Sequence, residues 1–200
     1  MPISVTNQDY GRIHLVADSR RQPLLASSVM GMLLFVLIEA MLFAGMISAY
    51  SIIRSGAMIW PPPDQPRLPI EETAINTAAL MLSGLLLFVA HRRFRRDRAR
   101  ARTPLLLSML LGAVFVVFQG VEWVALIREG FTLTSSSQGS FFYLIVGMHA
   151  LHAVAALGVL AYVALRLQRG WLASSQLAAA EVFWYFVVGM WPIIYLVVYL

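Results

Sequence analysis

The chain has 200 residues, 60% of them hydrophobic and 12% charged, against roughly 25% charged in soluble globular domains, and its mean hydropathy is +0.75. Such a composition excludes an ordinary soluble domain, and the complete lack of cysteine excludes a disulfide framework, an iron–sulfur cluster, a thiolate zinc site and a covalently attached c-type haem. The formal charge of +5 comes from fifteen arginines against ten acids; the arginines sit between apolar runs, so the basic balance speaks for membrane topology and against nucleic acid as a partner.

Residues 1–23 are polar, carry Asp9 and Asp18, and lack an apolar stretch ahead of a small-residue cleavage site. They are expected to form a cytoplasmic N-terminal segment rather than a signal peptide. Five apolar runs follow: Leu24 to Ile53, Ile75 to Ala90, Pro104 to Ile127, Ser140 to Leu165 and Leu177 to Leu200. Each is near the roughly 20 residues that cross about 30 Å of hydrocarbon, the second being the shortest. The expected architecture is all-α, a polytopic transmembrane bundle of five helices forming a single domain over 24–200.

Orientation follows from the arginines, because short cytoplasmic loops retain them and translocated loops are depleted. The loop from His91 to Thr103 carries Arg92, Arg93, Arg95, Arg96, Arg98, Arg100 and Arg102 against Asp97 alone. Arg12, Arg20 and Arg21 before the first span, and Arg166 and Arg169 after the fourth, fall on the same side. Only Arg54, Arg67 and Arg128 fall opposite. The expectation is a cytoplasmic N-terminus and arginine loop, the latter beside anionic headgroups, with the C-terminus outside.

Polar residues inside the spans need partners, since a carboxylate near the bilayer centre costs about 2.5 to 3.5 kcal/mol on insertion scales. Glu39 lies fifteen residues into the first span, about 22 Å along at 1.5 Å per residue and close to the middle. With no arginine inside that span, it is expected as a protonated carboxyl held by a hydroxyl, an amide or lipid rather than by an ion pair, because burial disfavours the charged form. Glu122 stands near the outer end of the third span and Glu181 near the inner end of the fifth, where both can reach the interface or face a neighbour. Gln119 and Glu122 on the third span, and His149 and His152 on the fourth, each stand at i, i+3 and so share a helix face. The simple expectation is an intramembrane polar seam between these two helices. Two histidines on one helix cannot take both axial positions of a haem, and His14 and His91 lie outside or at the edge of spans, so no metal or haem is expected on this chain. Nucleotide-binding loops, metalloprotease motifs, paired midplane acids on several helices and repeated broken helices are all missing.

The ordered motifs resemble those of subunit III of the haem–copper terminal oxidases. They begin with Glu39, Phe43, Gly45, Ala49 and Tyr50 in the first span, similar to E-x-x-x-F-x-G-x-x-x-A-Y, and continue with Trp60-Pro61-Pro62-Pro63, Asn76-Thr77 and Ser83-Gly84. Gln119, Glu122 and Trp123 resemble Q-x-x-E-[WY]; Gly147, His149 and His152 resemble G-x-H-x-x-H; and Arg166 follows fourteen residues later. The resemblance covers about 160 residues. The last helix departs from it, having Tyr185 and Val188 in place of the family's histidine and aspartate. Five helices instead of seven is similar to short forms in which the first two helices are absent or carried on another chain.

The resemblance implies a non-catalytic subunit that packs on the catalytic oxidase subunit I and other respiratory subunits. It would hold structural phospholipids and support proton uptake, oxygen access and durability in aerobic electron transport. Haem and copper would belong to the partner catalytic subunit, and the site would be the bacterial cytoplasmic (inner) membrane. Glu39 matches the family's intramembrane carboxylate and Arg166 the arginine that meets a lipid phosphate, a task suited to its planar fork. The alternatives at this point are a subunit III-like component of a nitric oxide reductase or of an alternative complex III assembly, and a small proton-coupled carrier built on Glu39 and the histidine pair.

The orientation is directly testable, because the chain has no native cysteine. In sealed cells, Ser137→Cys should react with an impermeant thiol reagent and Ala99→Cys should react only after permeabilisation; the reverse pattern refutes the assigned topology.

Overall fold

The computed structural model describes residues 26–60 and 68–200, and all regular structure among them is helical. Helix α1 spans Ser27–Gly56 and α2 spans Ile70–Phe94. A single 3₁₀ turn, Ala99–Ala101, leads into α3, Arg102–Arg128. Helix α4 spans Ser137–Gln168, and α5, Ser174–Ile194, runs on into a π-helical turn at Tyr195–Tyr199. All five helices are long and apolar enough to cross a membrane. The segment 1–23, with His14, Arg12, Arg20 and Arg21, lies outside the described residues, as do Pro61, Pro62, Pro63 and Arg67.

The second span is longer than its apolar run predicts. Its charged flanks belong to the helix: Glu71 and Glu72 occupy the first turn of α2 and His91, Arg92 and Arg93 the last, the arrangement that complements the helix dipole. Helix ends elsewhere follow local chemistry. Ser136 caps α4 by accepting the amide of Gly139 at 3.0 Å. Gly130 and Gly170 take φ of +86° and +75°, conformations that glycine enters without steric cost. They end α3 and α4 with paired bonds, Phe131 N to Leu126 O and Gly130 N to Ile127 O, then Trp171 N to Arg166 O and Gly170 N to Leu167 O. Pro104 falls in the first turn of α3, where an amide hydrogen has no helical acceptor. Pro192 lies inside α5, and the ladder loosens to the π-helical turn just beyond it.

Helix α5 is the hub, packing on α4, α1 and α2, while α3 lies between α2 and α4. Its Trp184 and Trp191 are fully buried. Lipid gives helices no hydrophobic reason to associate, so close approach and hydrogen bonds must do it. At Gly112 of α3 an added methyl would stand 2.5 Å from Trp184 Cη2 and 3.1 Å from Leu157 Cδ2; at Gly84 of α2 it would meet Val188 Cγ1 at 3.1 Å. Val188, where the resembled family has aspartate, is thus a packing residue on Gly84. Beside them Ser83 and Ser108 exchange bonds at 2.9 and 2.8 Å, and the Trp184 indole donates to Ser83 Oγ at 3.1 Å. Helix α1 is peripheral, with only Phe43 and Tyr50 buried.

Gly112→Ala should therefore destabilise the purified chain in detergent by about 1–3 kcal/mol, the usual range for overpacking. Gly158→Ala on α4, where an added methyl has nothing within 4 Å, should be neutral or stabilising by up to about 1 kcal/mol. Thermal unfolding of both variants measures the difference, and equal effects would remove the Gly112–Trp184 contact from the account.

Candidate functional site

Glu39 stands twelve residues after the start of α1, about 18 Å along the helix. Its Oε2 is 3.1 Å from Nε2 of His152 on α4. The carboxyl has 17% of its side chain exposed and the imidazole 9%. His152 Nδ1 lies 2.7 Å from the carbonyl oxygen of Met148, which can only accept, so Nδ1 carries a hydrogen. A single further proton then belongs to the Glu39–His152 bond, either on the carboxyl or on Nε2. Phe35, Phe43, Phe183 and Phe186 ring the imidazole with centroids 5.5–6.5 Å away. A hydroxyl, amide or lipid was the expected partner of Glu39; the structure supplies an imidazole from another helix instead. The reason is that a search along the first span cannot see what the fourth brings to it.

The expected seam between the third and fourth spans is also rearranged. Gln119 Nε2 donates to Glu122 Oε2 at 2.7 Å on its own helix and lies 3.1 Å from the Tyr199 hydroxyl. Thr73 Oγ1 of α2 lies 3.2 Å from both Glu122 oxygens and 2.6 Å from Pro69 O. These bonds tie α3 to α2 and to the end of α5, not to α4. His149 is 1% exposed and stacked against Trp191 at 4.9 Å, with Phe43 and Phe115 at 6.4 and 6.2 Å. The i, i+3 pair on α4 therefore splits, one imidazole bonding toward α1 and the other lying in an aromatic box.

Two further polar contacts close the other end of the bundle. Glu181, expected to reach the interface or face a neighbour, does the latter: it is 7% exposed and lies 2.8–2.9 Å from Nδ1 of His91 at the end of α2. Sequence reasoning assigned neither to the other, and only the antiparallel placement of α2 and α5 pairs them. Arg166 Nη1 donates to Gln176 Oε1 at 3.0 Å, and its guanidinium stands 5.3 Å from the Tyr162 ring centre. Tyr185 is 37% exposed. Among the described residues no three His, Cys, Asp or Glu side chains are close enough together to hold a metal ion.

A family model for cytochrome c oxidase subunit III matches residues 20–200. The chain is similar to the probable cytochrome c oxidase subunit 3 of Nocardia farcinica, 30% identical over 176 residues covering 84% of this chain and 85% of that one. It is also similar to the cytochrome c oxidase subunit 3 of Thermostichus vulcanus, at 28% over 177 residues and 86% of each chain. The subunit 3 of Corynebacterium diphtheriae is 30% identical over 208 residues, covering 100% of this chain and 98% of its own.

A double-mutant cycle isolates the Glu39–His152 contact. His152→Leu, which leaves the carboxyl without its imidazole, should destabilise more than Glu39→Leu, which leaves the imidazole still bonded to Met148 O through Nδ1. The coupling energy from unfolding in detergent should fall between about 0.6 and 1.7 kcal/mol, the mean and upper values for polar contacts between membrane helices. Additivity within about 0.3 kcal/mol would mean that the two side chains do not act together.

Proposed function

The chain belongs to the cytochrome c oxidase subunit III family, and from that membership we propose that it acts as a non-catalytic subunit that packs on the catalytic subunit I in a bacterial inner membrane. Subunit III of a haem–copper oxidase is a multi-helix membrane component, and this chain has the five membrane-capable helices for it. Haem and copper reside on the partner catalytic subunit in this reading. The observation that carries it is the match over 20–200, joined to a geometry in which Glu39 of the E-x-x-x-F segment and His152 of the G-x-H-x-x-H segment meet at 3.1 Å. Two sequence-distant motifs that form one contact support a shared family framework.

The finer roles follow from the chemistry of each position. The Glu39–His152 bond holds one exchangeable proton in a dry environment and keeps α1 in register; its proposed part is to support proton uptake by the complex without itself reacting. Arg166, at the last turn of α4, has its guanidinium plane fixed by Gln176 and Tyr162, and its remaining N–H groups are proposed to take a phospholipid phosphate. Helix α1, covered least by its own chain, has the apolar face that lipid and neighbouring subunits would cover. Together these roles give lipid retention, oxygen access through lipid, and stability of the complex during turnover.

Native purification through a tag on this chain tests the reading. A haem-bearing catalytic subunit should come with it, and the chain separated from that partner should carry no haem, copper or zinc. Arg166→Ala should leave assembly intact and lower the co-purified anionic phospholipid counted by mass spectrometry. Recovery without any haem protein, together with proton-driven uptake by vesicles holding this chain alone and lost on Glu39→Gln, would establish a carrier instead.

A further inference from the structure

The side of α3 that carries Gln119 and Trp123 and the side of α4 that carries His149 face each other across a partly open pocket of about 150 Å³, with Phe115, Val146 and Trp191 at its base and Val116, Gly120 and Ala150 nearer its mouth. Three of its lining residues each bury a polar atom that has no hydrogen-bond partner among the described residues: Gln119 Oε1, Trp123 Nε1 and His149 Nε2. Gln119 is 3% exposed and His149 1%. An unsatisfied buried polar group costs about 1–3 kcal/mol, so three of them on residues that line one pocket point to a common partner there.

The chemistry of the three atoms narrows that occupant. An amide oxygen only accepts, an indole nitrogen only donates, and an imidazole Nε2 does either according to its tautomer. A cation would be opposed by the indole N–H and an anion by the amide oxygen. A hydrocarbon chain would satisfy none of the three. The occupant must be small, neutral and both donor and acceptor, and a space of about 150 Å³ admits several water molecules.

We propose that this cavity binds a cluster of water molecules that hydrogen-bonds to Gln119 Oε1, Trp123 Nε1 and His149 Nε2. The cluster extends the Thr73–Glu122–Gln119–Tyr199 network from α3 to α4 and supplies, through water, a polar link beside the aromatic contacts of Phe115 with His149 and Trp123 with Tyr143. His149 then has a polar neighbour on one side of its aromatic box. A wet cavity and a dry one have opposite affinities, because an apolar empty cavity takes up xenon whereas a hydrogen-bonded cluster resists displacement.

Density maps of the intact oxidase complex, at a resolution that separates ordered waters, test this with and without Trp123→Phe, and crystals of the complex pressurised with xenon supply a second measurement. Discrete peaks within about 3.2 Å of at least two of the three atoms, loss of the peak nearest position 123 in the Phe variant, and no xenon in the cavity are the expected results. A continuous tube of density from an acyl chain, a cavity without peaks, or xenon occupying it would each overturn the proposal. The native map decides even if the variant complex fails to assemble.

Discussion

A polar group that enters the hydrocarbon must find its partner within the protein, in another side chain or in water that the protein holds, because lipid tails offer none. That constraint places the helices of this chain more than any apolar contact does. Lipid tails are as apolar as leucine, so burying Leu80 or Leu160 against another helix yields little beyond dispersion. The contacts that discriminate one arrangement from another are polar. Thr73 with Glu122 and Gln119 with Tyr199 fix α2, α3 and the end of α5 at one end of the bundle. Ser83, Ser108 and Trp184 fix the same three helices further along, and His91 with Glu181 fixes α2 to α5 at the other end.

Close packing and polar pairing cooperate at the hub. Ser83 and Ser108 can exchange hydrogen bonds only when α2 and α3 approach closely, and the bare backbone at Gly112 lets the Trp184 indole slide in beside them. The indole nitrogen then reaches Ser83, so the same ring that fills the space at Gly112 satisfies its own donor. Trp191 repeats the device further along α5, donating to Thr77 at 2.8 Å while its ring packs on Phe115 at 4.9 Å. Val188 on Gly84 lies between them. With these contacts α5 is held on α2 and α3 by neutral side chains, Val188 among them.

Much of this was legible in the sequence. Five apolar runs became five helices, and the membership carried by Glu39, Gln119, Glu122, His149, His152 and Arg166 as ordered motifs agrees with the family match. What the sequence hid is the pairing. Periodicity places Gln119 with Glu122 and His149 with His152 on common faces, but it says nothing about which neighbour each face meets. Glu39 was therefore given a hydroxyl, an amide or lipid as its partner instead of His152, and nothing along the chain joined Glu181 to His91. The limits of α2 were hidden for a different reason: a hydropathy run ends at the first charge, whereas a helix continues through charges that suit its dipole, as Glu71, Glu72, Arg92 and Arg93 do.

Helix α1 shows how unevenly the constraint acts. It has the fewest buried residues of the five spans, and its face is mostly large apolar side chains such as Leu37, Ile38 and Met41 that suit lipid or a neighbouring subunit. Its apolar packing on α4 and α5 runs through the buried Phe43 and Tyr50 and the partly buried Met32, Val36 and Met46. Its one mid-span carboxyl, which would cost about 2.5 to 3.5 kcal/mol unpaired, is therefore also its most directional tie: rotating α1 to turn Glu39 away from His152 would present that carboxyl to hydrocarbon. Arg54 adds the second tie, donating to Val197 O and Leu200 O at 3.0 and 3.1 Å at the far end of α5. A helix with little buried area is thus set in rotation by one acid at its middle and in height by one arginine near its end, which leaves its apolar face free for whatever surrounds the subunit.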